Sequence, residues 1–150
     1  QYFDGKEALL DALVEKLARD VGQALVRLPI PDNATLHERV SLAIRFGFSV
    51  MHSENGLYLE LMRNWHRLPA DRVVDVLQQY FYDSAQLYFL KHYREYPVRE
   101  LQARVFIVIN STAFTLVRFF SQDNPLLGEE AIQAGLIEMI TGFMIGSDQT

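Results

Sequence analysis

The stretch that most constrains the fold is residues 98–120, which read VRELQARVFIVINSTAFTLVRFF. No charged residue lies between Arg104 and Arg118, and apolar residues recur there at helical spacing. A helix that is apolar nearly all round must be covered nearly all round. The uncharged run has 13 residues and includes one Asn, one Ser and two Thr, whereas a membrane span needs about 20 apolar residues. We therefore expect a central helix in a soluble all-α domain, with no membrane as a partner.

This helix and the last predicted helix, residues 129–146, have more apolar surface than one subunit is expected to cover. Gly135 and Gly142 give the last helix a thin flank that another helix can approach closely. A second copy of the chain would cover both helices in a four-helix interface. A monomer that buries both helices internally is the alternative. The residues expected at this interface are Val105, Ile109, Thr112, Leu116, Leu136, Met139, Ile140 and Phe143.

Six helices account for the chain. The first runs to about Leu28, before Pro29 and Pro31. The second begins after Thr35, which forms a capping box with Glu38. A short helix covers residues 56–65, and a long one covers residues 71–96. The helix of residues 98–120 begins behind Pro97, a residue that suits the first turn of a helix. The predicted fold is an all-α six-helix bundle.

Composition and motifs give no sign of an enzyme. The 150 residues carry a net charge of −5 and no cysteine, which argues against a broad nucleic-acid-binding face, a disulfide framework and a thiolate metal site. The four histidines are scattered without metal-ligand spacing. No catalytic motif is present. We expect no cofactor, no metal, and a cytoplasmic location.

The middle of the chain is rich in aromatic and methionine side chains. Such residues form either a plain core or the apolar wall of a small-molecule site, and the residues alone favour the plain core. Asn110 interrupts an otherwise apolar helix and needs hydrogen-bond partners if it is buried. A ligand, a bond across a subunit interface and a bond within the helix are all open. The residues considered for a pocket are Phe48, Met51, Tyr58, Met62, Trp65, Tyr88, Phe106, Asn110 and Phe114.

The first ten residues, QYFDGKEALL, resemble a junction in TetR/AcrR-type transcriptional regulators. In that family an aromatic pair ends the recognition helix, and a short turn leads to Lys-Glu-x-Leu-Leu at the start of the next helix. This chain has the pair Tyr2-Phe3, the turn Asp4-Gly5 and then KEALL. The likeness covers about ten residues, and the rest agrees only in helical pattern and length. An ordinary N-terminal helix with an aromatic residue before its cap is the alternative.

The resemblance implies a division of the chain and a function. Residues 1–5 would be the remnant of a DNA-binding domain whose first 45 or so residues are absent, with Tyr2 and Lys6 touching DNA phosphates. Residues 6–150 would be a ligand-binding and dimerisation domain, with a TetR-like last pair of helices at the dimer interface. The resemblance thus favours a pocket over a plain core, and implies a homodimeric regulator, expected to be a repressor, that responds to a small apolar or aromatic effector. Operator DNA would be a partner of the full-length protein only. A helical scaffold or protein-interaction domain without a ligand is the alternative function.

Overall fold

A computed structural model describes residues 5–68, 71–122 and 126–145, and within them the chain is all-α, with no strand. Single 3₁₀ turns at Glu54–Gly56 and Trp65–Arg67 flank the third helix. The predicted six-helix bundle is confirmed for these ranges. The helices are α1 Gly5–Val26, α2 Leu36–Met51, α3 Leu57–Arg63, α4 Asp71–Lys91, α5 Leu101–Phe120 and α6 Glu129–Ile145.

The start of α2 is fixed by the predicted capping box, which is confirmed. The Thr35 hydroxyl accepts a hydrogen bond from the backbone N–H of Glu38 at 3.2 Å, and the Glu38 carboxylate accepts one from the backbone N–H of Thr35 at 3.2 Å. These two bonds satisfy N–H groups that have no partner inside the helix.

The connection between α4 and α5 is longer than the sequence pattern predicts. The fourth helix ends at Lys91 rather than residue 96, and α5 begins at Leu101 rather than residue 98. Pro97 therefore lies in the connection and not in the first turn of α5. Glu100 takes the left-handed conformation (φ 53°), and its carbonyl accepts the N–H of Arg104 at 3.0 Å.

Two buried clusters hold the bundle together. One joins α2, the end of α4, α5 and α6, and the other joins α1, the end of α2, α3, the start of α4 and the end of α5. Phe48 belongs to the first cluster and is 2% exposed, and its ring centroid is 5.3 Å from that of Phe120, which packs against both clusters. Each such apolar side chain contributes about 1.5–3 kcal/mol when it is removed from water. The clusters fix α5 between α4 and α6.

The structure gives α5 two distinct faces. Among the described residues, α5 is the one helix whose length and composition would allow it to cross a membrane, a test that a core helix also passes. The residues that point into the bundle, which we call the inner face, are Val105, Val108, Ile109, Thr112 and Leu116. Phe106, Ile107 and Phe114 point outward and are 53%, 50% and 67% exposed.

Candidate ligand-binding cavity

A cavity of about 450 Å³ lies in the middle of the bundle. Residues of α1, α2, α4, α5 and α6 form most of its wall, and Met62 of α3 and Trp65 of the following 3₁₀ turn complete it. Small-molecule sites commonly have volumes of about 300–1,000 Å³. The volume is thus sufficient for a small organic ligand.

Five of the nine predicted pocket residues line this cavity. They are Phe48, Met51, Met62, Trp65 and Tyr88. Trp65 is the single tryptophan of the chain, so its fluorescence can report on the cavity.

The other four predicted pocket residues lie elsewhere. Tyr58 is buried in the cluster of α1, α3 and α4 and does not line the cavity. Phe106 and Phe114 point to the outside of α5. Asn110 is half-buried and donates a hydrogen bond to the Phe106 carbonyl at 2.8 Å, which is the bond within the helix that the sequence left as one of three possibilities.

Most of the residues predicted to contact a second subunit are inside this one. Val105, Ile109, Thr112, Leu116 and Ile140 line the cavity. From the sequence these residues of α5 are predicted to lie at the subunit interface and Phe106, Asn110 and Phe114 in the pocket, because a helix without a polar face gives no sign of which side turns inward. Leu136 is buried beside α2 and α5, Phe143 is half-buried, and Met139 is 42% exposed.

Among the described residues, Arg39 of α2 is the one cation on the cavity wall, and its guanidinium already has partners. Its guanidinium donates hydrogen bonds to the backbone carbonyls of Ala34 at 3.1 Å, Asp32 at 3.0 Å and Pro31 at 3.3 Å. It also lies over the ring of Tyr88, 5.2 Å from the centroid. These contacts fix the connection between α1 and α2 to the start of α2, which indicates a structural role for Arg39.

Two tyrosines of α4 add hydroxyl groups to the wall. The Tyr80 hydroxyl donates to the Leu25 carbonyl at 2.9 Å and so joins α4 to the end of α1. The pKa of Tyr88 is raised above its ordinary value near 10.0, chiefly by burial and then by Tyr96, while a hydrogen bond from the Leu36 backbone opposes the shift. Tyr88 therefore stays neutral at physiological pH.

Thr112 differs from the other polar groups of the wall. Its hydroxyl oxygen is buried and has no hydrogen-bond partner among the described residues. On the same helix, the Thr115 hydroxyl donates to the Ser111 carbonyl at 2.8 Å. An unpaired buried hydroxyl costs about 1–3 kcal/mol. Thr112 is thus a residue of the wall whose hydroxyl oxygen is inaccessible to solvent and without a partner among the described residues.

A glycine of α2 leaves space beside the cavity. Gly47 lines the cavity, and a Cβ atom placed on it would meet no atom within 4 Å. Glycine within a helix costs about 1 kcal/mol relative to alanine. The structure places no neighbouring helix against it.

A second feature lies on the outside of the bundle. The outer face, as we use the term, consists of Phe106, Ile107 and Phe114 of α5 with Met139 of α6, all exposed in the single subunit. Gly135 and Gly142 are also exposed, and a Cβ atom on either would meet nothing within 4 Å. Isolated exposed apolar residues are common, but a group of this kind is typical of an interaction surface.

The residues expected to touch DNA are at the start of the chain. Lys6 is exposed in the first turn of α1, and Tyr2 lies outside the described residues. In the part of the chain that is described, no three His, Asp or Glu side chains come close enough to hold a metal ion. Comparison of the chain with protein-family models, with curated proteins and with solved structures finds no match in any of the three.

Proposed function

We propose that this chain is the effector-binding and dimerisation domain of a TetR-type transcriptional regulator, a cytoplasmic repressor that responds to a small apolar or aromatic ligand. The observation that carries this proposal is the cavity of about 450 Å³ among α1, α2, α4, α5 and α6. Its wall is mostly aliphatic and aromatic with a few polar groups, which is the usual composition of a small-molecule site.

The outer face supports the dimerisation part of the proposal. Pairing of α5 and α6 with the same helices of a second copy would cover Phe106, Phe114 and Met139, which are exposed in one subunit. Gly135 and Gly142 allow the partner's helix to come close. A twofold interface uses the same patch on both subunits, and two α5–α6 pairs form a four-helix interface.

The position of α1 supports a link between ligand and DNA. In the proposed regulator, α1 joins the DNA-binding head to the body, and its Leu17, Val21 and Leu25 also line the cavity. If the two heads can adopt two different spacings, a ligand shifts the balance between them only as far as it binds one arrangement more tightly than the other. With a net charge of −5, the chain without a head is expected to bind DNA weakly.

Ligand binding is tested by thermal unfolding of the chain against a library of apolar and aromatic compounds. A compound that binds the folded state raises the melting temperature. Ala113→Leu puts a larger side chain on the cavity wall and should remove these shifts, whereas Ala103→Leu, at an exposed site on the same helix, should keep them. If no compound raises the melting temperature of the parent chain or of either variant, the result would favour an interaction domain without a ligand.

Regulation is tested on the polypeptide encoded by the complete gene. We expect it to bind DNA flanking that gene at physiological salt, measured by fluorescence anisotropy, and to change its affinity when a compound from the library is added. The chain of 150 residues should not bind the same duplex specifically. Tight, specific binding by this chain alone would contradict the proposed division between head and body.

A further inference from the structure

The connection between α1 and α2, residues 27–35, forms a part of the cavity wall that belongs to no helix. We propose that this connection, which we call the strap, is the lid that a ligand displaces when it enters and leaves the cavity, with the Arg39 guanidinium as its latch. The inference rests on the proposed ligand-binding function and adds to it a route into the site.

The strap covers the cavity with two apolar side chains. Leu28 and Ile30 line the cavity and are half-buried, whereas Pro29 and Pro31 are exposed. This alternation is typical of an extended segment, in which successive side chains point to opposite sides. Among the described residues that line the cavity, all the others lie in α-helices or in a 3₁₀ turn. The strap is therefore the part of the wall that is not built from helical backbone.

The strap can move without breaking a helix. Within the described part of the chain, its backbone hydrogen bonds run inside the strap or to the ends of α1 and α2. Displacing a helix from the wall would disturb its packing on other helices and, if the helix unwound, its own ladder of hydrogen bonds. The helix α2 packs chiefly on α6, and α4 packs chiefly on α1 and α5. These helices can therefore keep their places while the strap moves.

Two polar side chains hold the strap in place. The Arg39 guanidinium of α2 donates three hydrogen bonds to backbone carbonyls of the strap, those of Ala34 at 3.1 Å, Asp32 at 3.0 Å and Pro31 at 3.3 Å. From α4, the Tyr80 hydroxyl donates to the Leu25 carbonyl at 2.9 Å, two residues before the strap begins. Hydrogen bonds from a charged donor are stronger than those from a neutral one. Arg39 is therefore the main latch, and Tyr80 is a weaker one.

A latch of this kind acts on the rates of binding more than on the affinity. If the strap is closed over both the empty and the filled cavity, the latch bonds are present in both states and cancel in the dissociation constant. They are broken in the open state through which the ligand passes, so they slow association and dissociation alike. A residue that only stabilised the bound form would change the dissociation rate and leave the association rate as it was.

The first experiment measures both rates by stopped-flow fluorescence with N-phenyl-1-naphthylamine, a neutral aromatic probe whose emission rises in apolar surroundings. The signal that Ala113→Leu removes is assigned to the cavity. We expect Arg39→Lys, which keeps the charge but loses the fork of donors, to raise both rates about tenfold, and Tyr80→Phe to raise both about threefold. The dissociation constant should change by less than either rate. The matched controls are Arg45→Lys at an exposed site of α2 and Tyr82→Phe off the cavity wall of α4, and they should leave both rates unchanged.

A second experiment follows the strap without any ligand. The chain has no cysteine, so Ala34→Cys places a single thiol on the strap at a position that is 4% exposed. We expect this thiol to react with an aromatic disulfide reagent through local opening, faster than global unfolding allows. Adding Arg39→Lys should speed the reaction about tenfold. Ala18→Cys, buried in the cluster of α1 and α3, is the control and should react only through global unfolding.

The outcomes distinguish failure of the lid from failure of the ligand site. Parallel acceleration of both binding rates, together with faster reaction of the thiol at position 34, supports the lid. Unchanged association rates in Arg39→Lys and Tyr80→Phe would overturn it, and so would a thiol at position 34 that reacts only through global unfolding. In both of these cases the cavity would still bind the probe. If neither this probe nor any library compound binds the parent chain, the proposed function itself is wrong, and the entry route is wrong with it.

Discussion

The two faces of α5 carry similar apolar side chains but have different surroundings. On the inner face, Val105 and Ile109 are 3% and 9% exposed and adjoin a cavity. On the outer face, Phe106 and Phe114 are 53% and 67% exposed. The inner face is covered by the subunit's own helices, whereas the outer face has no cover within it. The difference teaches that, on the first four turns of α5, the exposed side chains include two phenylalanines, whereas the buried side chains beside the cavity are smaller and branched.

The largest expected effect is on association of the outer face. The double variant Phe106→Lys/Phe114→Lys places like charges at the proposed twofold contact, which costs several kcal/mol. We expect sedimentation velocity to change from dimer to monomer at micromolar concentration, with the helical circular dichroism retained. Leu87→Lys on α4 is the control, because Leu87 is 72% exposed and lies outside this surface. An unchanged sedimentation coefficient for the double variant would show that the outer face does not mediate dimerisation.

The second largest effect is a loss of folding stability when a side chain of the inner face is shortened. Ile109→Ala should lower the free energy of unfolding by about 2–3 kcal/mol, the lower part of the usual range for such truncations, because Ile109 already borders a cavity. Urea unfolding followed by Trp65 fluorescence measures this change. Ile107→Ala is the matched control at a 50% exposed site of the same helix. Equal destabilisation by the two variants under conditions where the chain is monomeric would remove the distinction between the faces.

Replacing either of two glycines by alanine should have a smaller effect on stability, and the two replacements should differ in their effect on the dimer. Gly47→Ala should raise the free energy of unfolding by up to about 1 kcal/mol, since alanine is the better helix former and its methyl group meets no atom. Gly142→Ala should give a similar gain in helix propensity but should weaken the dimer, because its methyl group would stand where the partner helix approaches. Unfolding at several protein concentrations separates the two effects. A Gly142→Ala variant that strengthens association would contradict the close approach at α6.

The smallest effect concerns alkaline pH. Because burial raises the folded-state pKa of Tyr88 above its ordinary value near 10.0, the unfolded chain loses this proton first as pH rises. The contribution of Tyr88 to stability is therefore complete below pH 10 and is lost as pH rises through the folded-state pKa. Tyr88→Phe should make the fall in stability above about pH 10 less steep. An identical slope in the variant would show that Tyr88 is not buried as described.

The sequence predicted the helices better than the orientation of the helices. Local signals, such as the Thr35 and Glu38 capping box, are encoded within a few residues and are confirmed. The end of α4 was misplaced because the pattern continues through Tyr93 and Tyr96, whereas the chain leaves the helix before Pro97. Periodicity separated Val105 and Ile109 from Phe106 and Phe114, but it carries no information on which side the neighbouring helices occupy.

Prediction of the cavity from the sequence is limited in the same way. Phe48, Met51 and Trp65 were found because aromatic and methionine residues cluster in the middle of the chain. Thr112 was noticed only as part of an apolar stripe, since nothing local distinguishes a threonine whose hydroxyl is satisfied from one whose hydroxyl is not. That distinction depends on which residues lie opposite, which only the tertiary structure provides.

The distance between the outer faces of two copies tests the proposed dimer most directly. The chain has no cysteine, so Ser111→Cys, at an exposed position on α5, allows a single nitroxide label to be attached. Electron–electron dipolar spectroscopy should then give one short intermolecular distance, of the order expected for helices packed about 8–10 Å apart with their labels between them. A sample without dipolar coupling at the concentrations where the parent chain sediments as a dimer would contradict the account.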